Sequence, residues 1–454
     1  MIESGIFKAN DIRGLAGGPD AQWDAAGAFD IGASFVEVFG LNGGDFVLGR
    51  DMRGTGVELG RAFADGARSR GANVIDVGLS STDELWFASG RFSLPGVQLT
   101  ASHNPAGYNG VKFCRADAAP VEPETLLRIK ELAMAGGPAA DESIPLGAYR
   151  QQDVLAEYAA YLHSLVDLDG MRRLKVVVDA GNGMAGLTTP AVLGPLDVEL
   201  VGLYLDLDGS FPNHPPNPLE PENLLDAQAA VRAHGADLAL VFDGDADRCF
   251  IIDERGEVVT PSVVTALIAR QELAREPGAT IVINTITSRA VGEEVALHGG
   301  TLEVSPVGHT KVKALMAEHD AIFGGEHSAH YYFRDFWGAD TGMLAALHVL
   351  ALVGHGQAPI SELAASVPAY ANSGEINSTV SDAPGIAARV EAAFADRGSV
   401  DHIDGLTVSG PGWWLNVRSS NTEPLLRLNV ESKDSAHMAS LRDEALAIIR
   451  GGTA

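Results

Sequence analysis

Gly96-Val97-Gln98-Leu99-Thr100-Ala101-Ser102-His103-Asn104-Pro105 passes from an apolar run into a polar turn. Residues 97–99 read as the end of a buried strand and 100–105 as the turn leaving it. Phe46-Val47-Leu48-Gly49 and Asn73-Val74-Ile75-Asp76-Val77 are further short apolar strands, with helical patterns between them. This alternation predicts βαβ units on a largely parallel sheet. Open α/β sheets collect ligands beyond the C-terminal ends of their strands, and Ser102 and His103 stand at such an end. Two readings stay open at this point. Ser102 is a nucleophile or phosphate carrier, or Ser102, Asn104 and Pro105 are turn formers.

The pattern repeats downstream. Residues 136–147 have linker composition, and a helix is expected over 154–166. Strands follow over 174–178, 198–205, 238–242 and 249–252. A third cycle places strands at 280–283, 301–304 and 321–323, flanked by helices over 263–273 and 343–352. From about residue 370 the pattern changes to antiparallel strands at 406–408, 413–417 and 425–430, closed by a helix over 436–449. The predicted fold is three successive similar α/β domains (1–145, 146–253, 254–367) with mixed, mostly parallel sheets, plus a smaller C-terminal α+β domain (368–454).

Size and composition agree. A chain of 454 residues exceeds one hydrophobic core. A net charge of −28 argues against nucleic acid and anionic membrane as partners, so an anionic ligand must meet locally concentrated cations. The apolar run over 343–353 is broken by His348 and too short to span a bilayer. Cys114 and Cys249 are too few for a disulfide framework or thiolate metal site and read as buried small hydrophobes. With no apolar signal core near the N-terminus, a cytoplasmic location is expected.

Five further turns are candidates for chemistry. In Asp243-Gly244-Asp245-Ala246-Asp247-Arg248, three carboxylates alternate with the smallest residues and can converge on a hard divalent cation such as Mg²⁺. The EF-hand alternative fails, because Arg248 stands where that loop needs glycine and strands replace helices on both flanks. Gly181-Asn182-Gly183-Met184-Ala185-Gly186, with Asp206 downstream, matches a dinucleotide fingerprint. Tight strand-to-helix turns need glycine whatever they bind, and Asp179 puts a carboxylate where a pyrophosphate would lie. Gly325-Glu326-His327-Ser328-Ala329-His330 offers polar side chains suited to a polyol, and Gly308-His309-Thr310-Lys311 another imidazole and cation. Arg418-Ser419-Ser420-Asn421-Thr422-Glu423-Pro424 concentrates donors suited to a phosphate monoester. Each turn also reads as an ordinary polar loop when taken singly.

Taken in order, these motifs resemble the α-D-phosphohexomutase family, and most of all its bacterial phosphomannomutase/phosphoglucomutase group. Lys8-Ala9-Asn10-Asp11-Ile12-Arg13-Gly14, Gly49-Arg50-Asp51-Met52-Arg53 and Tyr108-Asn109-Gly110-Val111-Lys112 extend the likeness over essentially the whole chain. The resemblance implies four domains around a central cleft and a phosphohexomutase that interconverts hexose 1- and 6-phosphates through a 1,6-bisphosphosugar. It implies a phosphorylated Ser102, Mg²⁺ held by Asp243, Asp245, Asp247 and the phosphoserine oxygen, and hydroxyl contacts from Glu326 and Ser328. It implies a clamp for the non-reacting phosphate at Arg418, Ser420, Asn421 and Thr422. Arg13, His103, Lys112, Arg248, His309 and His330 fall at family positions around the reacting groups. Lys112 is the first candidate for proton transfer, with a pKa expected to fall among cations. A hexose 1,6-bisphosphate is the implied activator, a sugar phosphate the implied partner, and the assembly is left open between monomer and homodimer. Arg289 is the nearest cation where the family often carries one for a phosphate contact after the first strand of its third domain, a departure from the family's pattern. His327 and Ala329 resemble the mannose/glucose group more than relatives that handle amino sugars. Serine- and metal-dependent phosphatases and dinucleotide-binding dehydrogenases are the rival classes.

Overall fold

The computed structural model describes residues 1–139, 141–419 and 425–451, and the chain divides into two compact units. The first comprises Met1–Pro261 and Ser328–Leu363, the second Ser262–His327 and Ala364–Ala454.

The first unit begins with β1 (Ile12–Leu15), α1 (Ala25–Phe39), β2 (Asp45–Arg50), α2 (Gly56–Ser69), β3 (Asn73–Leu79), α3 (Thr82–Phe92), β4 (Gly96–Leu99) and β5 (Tyr108–Cys114). After α4 (Pro123–Met134), β6 (Tyr149–Gln151) completes a mixed sheet ordered β1-β5-β4-β2-β3-β6. Its three central strands are parallel, as the βαβ alternation predicts, and every residue of β4 is buried. The antiparallel β1 and β5 were not visible as separate strands, because their glycines and polar residues interrupt the apolar run. Phe35, Phe46, Phe63 and Phe113 form the aromatic centre of this core.

A second cycle runs through α5 (Leu155–Leu165), β7 (Leu174–Asp179), α6 (Ala185–Leu193), β8 (Val198–Leu203), α7 (Leu225–His234), β9 (Leu238–Phe242), β10 (Cys249–Asp253) and β11 (Val258–Val259). Its sheet order is β11-β10-β9-β7-β8, with β9 and β10 forming a hairpin around the acidic turn. Strand β8 stops at Leu203, before the expected residue 205.

The second unit contains α8 (Pro261–Arg275), β12 (Thr280–Asn284), α9 (Arg289–Leu297), β13 (Thr301–Ser305), α10 (His309–Glu318) and β14 (Phe323–Gly325), with β12 parallel to both β13 and β14. The last strand lies two residues beyond its expected start. Ala321 and Ile322 are buried but precede the paired stretch, so their apolarity reports burial and not strand extent. The chain re-enters the first unit with the antiparallel pair β15 (Tyr331–Phe333) and β16 (Ala339–Asp340), then the almost wholly buried α11 (Gly342–His355). It leaves within α12 (Ile360–Ala365).

The C-terminal part has β17 (Ala371–Asn372), β18 (Ile376–Thr379), α13 (Ala383–Phe394), β19 (Ser399–Asp401), β20 (Leu406–Gly410), β21 (Trp413–Ser419), β22 (Leu425–Ser432) and α14 (Ser435–Ile449). Its sheet is antiparallel throughout and packs against α13 and α14, the expected α+β arrangement. No helix among the described residues is long and apolar enough to cross a membrane.

Helices α1 and α2 cross at glycine. A Cβ on Gly32 would lie 2.1 Å from the Phe63 carbonyl oxygen, and one on Gly66 would lie 2.0 Å from that of Phe29. Helix propensity favours Gly66→Ala by about 1 kcal/mol, whereas overpacking costs about 1–3 kcal/mol. We expect a net loss of stability by urea denaturation; a stabilised variant would show that the helices do not approach this closely.

Candidate active site

Strand β4 delivers the serine turn. Ser102 is buried and adopts φ +48°, a left-handed conformation that a non-glycine residue holds only when its surroundings impose it. Its N–H donates to Thr100 Oγ1 at 2.9 Å. The buried Arg53 supplies the larger constraint. Its two terminal nitrogens donate to the carbonyls of Ser102 (2.7 Å), Asn104 (2.6 Å), Pro105 (2.8 Å) and Tyr108 (2.9 Å). Its Nε donates to Asp51 Oδ2 at 3.1 Å, and Phe211 covers the guanidinium. Arg13, on β1, reaches the same turn through Asn104 Oδ1 at 3.0 Å while its Nε pairs with Asp11.

The acidic turn from β9 to β10 lies against this loop. A Cβ on Gly244 would sit 2.5 Å from the Ser102 carbonyl oxygen, so the approach requires glycine. Gly244 in turn accepts the Met184 N–H at 2.9 Å. That contact accounts for the glycines of the 181–186 turn. A Cβ on Gly183 would fall 2.7 Å from the Gly244 oxygen, and one on Gly186 would fall 2.0 Å from the Leu205 oxygen. Asp179 is occupied by the Gly181 N–H and by His214. These glycines serve backbone packing, and the dinucleotide reading has no site to stand on.

Asp243, Asp245 and Asp247 are all buried, with carboxylate oxygens within 4.8 Å of one another. Ser102 Oγ donates to Asp243 Oδ2 at 2.9 Å. Arg248 donates to the same oxygen through Nε (2.9 Å) and Nη2 (2.8 Å). Lys112 Nζ donates to Asp245 at 2.7 Å and to Asp247 at 2.5 Å, and Thr82 Oγ1 adds a 2.6 Å bond to Asp245. Burial pushes the Asp243 carboxyl up, and Arg248 only partly opposes it. Burial acts the same way on Asp245, but Lys112 and Thr82 together hold it well below the carboxylate range.

Lys112 departs from expectation. Burial lowers its pKa, but Asp245 and Asp247 outweigh burial and raise it above the ordinary lysine value. Its nearest partners are carboxylates and not cations, so it is a fixed charge. His103 is shifted well below its ordinary value, by burial first and then by Arg248 and Arg13. Its Nδ1 accepts from Arg248 Nη2 at 2.7 Å and lies 3.3 Å from Ser102 Oγ. With that lone pair engaged, the imidazole is poorly disposed to take the serine proton.

The Oδ1 atoms of Asp245 and Asp247 are buried without a hydrogen-bond donor. Hard oxygen donors left unmet at one point fit a divalent cation such as Mg²⁺. His330, paired to Arg248 by an isolated β-bridge, places Nε2 3.8 Å from Asp247 Oδ1, and its Nδ1 bonds Ser328 Oγ at 2.9 Å.

In the second unit, the buried Glu326 accepts from Asn284 Nδ2 at 2.7 Å and from the Gly308 N–H at 3.4 Å. His309 begins α10 directly after Gly308. Arg418 pairs with Glu375, while Ser420, Asn421 and Thr422 lie outside the described residues. Arg289 donates to the carbonyls of Gly410 (2.7 Å) and Trp413 (3.0 Å), so it secures the C-terminal sheet and is not free for a phosphate.

Sequence reasoning assigned no role to Arg53, Thr82 or Asp83. Arg53 had a signal in its i, i+2 spacing from Asp51, whereas Thr82 meets Asp245 only through tertiary folding. Asp83 accepts from Tyr158 and Thr341, each at 2.7 Å, and burial pushes its carboxyl up to about 6. Glu84 beside it is buried with Oε2 unpartnered, and burial followed by Asp83 pushes it up to about 8.

Family models match the chain in order: phosphoglucomutase/phosphomannomutase alpha/beta/alpha domain I over residues 4–138, domain II over 156–256, domain III over 260–370 and the C-terminal domain over 375–448. A phosphomannomutase of Salmonella typhimurium is 39% identical over 98% of this chain and 99% of its own. The crystal structure of a phosphoglucomutase/phosphomannomutase family protein from Burkholderia thailandensis superposes with a TM-score of 0.90 at 33% identity, covering 100% of this chain and 99% of that one. The N-acetylphosphoglucosamine mutase of Aspergillus fumigatus, solved with GlcNAc-6P and magnesium, shares the fold at a TM-score of 0.61 and 15% identity, over 82% of this chain and 93% of its own. Fold and relatives define a phosphohexomutase, an isomerase that moves phosphate on a hexose. The chain belongs to the phosphoglucomutase/phosphomannomutase family.

Arg53→Met leaves Asp51 buried without its counter-ion and four loop carbonyls without their donor. A loss of about 3–5 kcal/mol is expected in chemical denaturation; a loss below about 1 kcal/mol would mean the turn is held elsewhere. Glu84 tests the electrostatics separately. Its folded-state pKa, about 8, lies above the ordinary 4.5, so its contribution to stability is full below pH 4.5 and is lost as pH rises through 8. Glu84→Gln is therefore expected to raise the melting temperature, with a gain that grows between pH 5 and 8. A gain independent of pH would rule out the buried carboxyl as its source.

Proposed function

We propose that this phosphohexomutase interconverts mannose 1-phosphate and mannose 6-phosphate, with glucose phosphates as further substrates. Ser102 carries the phosphoryl group and starts and ends each turnover phosphorylated. The observation that carries this reading is the Ser102 hydroxyl bonded into the buried Asp243–Asp245–Asp247 set, with Arg248, Lys112, Arg13 and His103 around it. Asp243, Asp245 and Asp247, with the serine phosphate, would hold Mg²⁺, which when bound neutralises charge on the transferring phosphoryl group.

The chain's own residues divide the remaining work. Arg248 and Arg13 orient the serine turn and add positive charge, and Lys112 keeps Asp245 and Asp247 ionised. His309 and His330 are assigned to the proton exchange at the sugar hydroxyl. Glu326 and Ser328 take sugar hydroxyls, and Arg418, with Ser420, Asn421 and Thr422, holds the phosphate that does not react. Transfer to the free hydroxyl gives a hexose 1,6-bisphosphate. That intermediate turns round and returns its other phosphate to Ser102, and the same bisphosphate added from solution recharges the serine. The boundaries 1–145, 146–253, 254–367 and 368–454 place one such loop on each domain. The net charge and the two buried free cysteines favour a cytoplasmic enzyme.

Ser102→Ala is expected to lower kcat for mannose 1-phosphate by at least about a thousandfold at unchanged melting temperature. Retained mutase activity would refute the phosphoserine. A serine- and metal-dependent phosphatase would instead release inorganic phosphate steadily from mannose 1-phosphate, whereas the mutase converts it to the 6-phosphate. Comparing kcat/KM for mannose 1-phosphate and glucose 1-phosphate, with a hexose bisphosphate supplied, decides the preferred sugar.

A further inference from the structure

Arg418 on β21 and Arg427 on β22 are directly opposed in an antiparallel pair. Like charges at such a position repel. Glu375, just before β18, relieves this by pairing with Arg418 Nη2 and, at 3.4 Å, with Arg427 Nη1. The balance is incomplete. One carboxylate faces two guanidinium groups, and the Nε of each arginine is buried without an acceptor. The cluster therefore keeps a local positive charge in a chain of net charge −28. The cluster is also felt at His327, which is shifted below its ordinary value chiefly by burial, with Glu326 and Glu375 opposing the shift and Arg418 adding to it.

We infer that Glu375 is a built-in competitor that a substrate phosphate displaces from Arg418. The inference rests on the reading of Arg418 as the phosphate clamp. A phosphate dianion offers more acceptor oxygens and more charge than one carboxylate, so it can meet donors that Glu375 leaves unmet. Net affinity is then the difference between two anions. A phosphohexomutase needs that moderation, because a bisphosphate intermediate gripped too tightly could not let go and turn round.

The test compares Glu375→Gln and Arg418→Ala in full-length enzyme, reading kcat and KM for mannose 1-phosphate beside thermal melts. Glu375→Gln should lower KM by about three- to tenfold and also lower kcat, even while the melting temperature falls from unbalanced arginine repulsion. A merely structural Glu375 would instead weaken binding as it weakens the fold. A raised or unchanged KM in Glu375→Gln would overturn the inference. Should that variant not fold, Glu375→Asp, with its shorter reach, carries the same expectation of a lowered KM and the same refutation. If Arg418→Ala leaves KM unchanged, the clamp itself is wrong. If Arg418→Ala raises KM but the Glu375 variants do not lower it, only the competitor fails.

Discussion

Three carboxylates buried at one point would repel, and the first unit is arranged around preventing that. Asp243 is balanced from its own loop by Arg248, whereas Asp245 and Asp247 depend on Lys112 from β5, on a different sheet. Thr82, at the start of α3, donates its hydroxyl to the Asp245 carboxylate and its N–H to the Asp245 backbone carbonyl. Neither the acidic hairpin nor the serine sheet can satisfy these charges alone. Their mutual approach is therefore an electrostatic requirement as much as a packing one. Gly244 against the Ser102 carbonyl, and the Met184 N–H on Gly244, are the steric terms on which it is met.

The same charges set unequal protonation tendencies. Two carboxylates of one loop are driven in opposite directions because Lys112 and Thr82 reach Asp245, whereas Asp243 has burial against it and Arg248 for it. Burial first, and then the neighbouring cations, keep His103 neutral, and its engaged Nδ1 separates this serine from one activated by an adjacent imidazole base.

How much of this was legible in the sequence follows from range. The central strands, the acidic turn and the serine turn each rest on local pattern, and they lie where expected to within a residue or two. β1 and β5 escaped because polar and glycine residues occupy strands whose burial comes from neighbouring elements. The glycine fingerprint was visible but not its cause, since the oxygens that exclude a Cβ come from Gly244 and Leu205. Lys112 shows the limit most clearly. The expected fall among cations fails because the sign of its shift depends on which side chains its ammonium touches, and those lie 133 and 135 residues away.

On the proposed reading of Ser102 as the phosphoryl carrier, Arg53 accounts for how the serine turn tolerates a change of charge. Phosphorylation would add close to two negative charges at Ser102 Oγ and break that atom's bond to Asp243. A turn shaped by its hydroxyl would then change conformation at every half-reaction. Here the left-handed Ser102 backbone is imposed through carbonyl oxygens, by a guanidinium whose own counter-ion, Asp51, lies outside the acidic set. Among the described residues, Asp243 and His103 are the side chains that hydrogen-bond the serine oxygen, and Arg53 is not one of them. Separating the scaffold cation from the reacting atom lets charge at Ser102 change while the position of its Cβ does not.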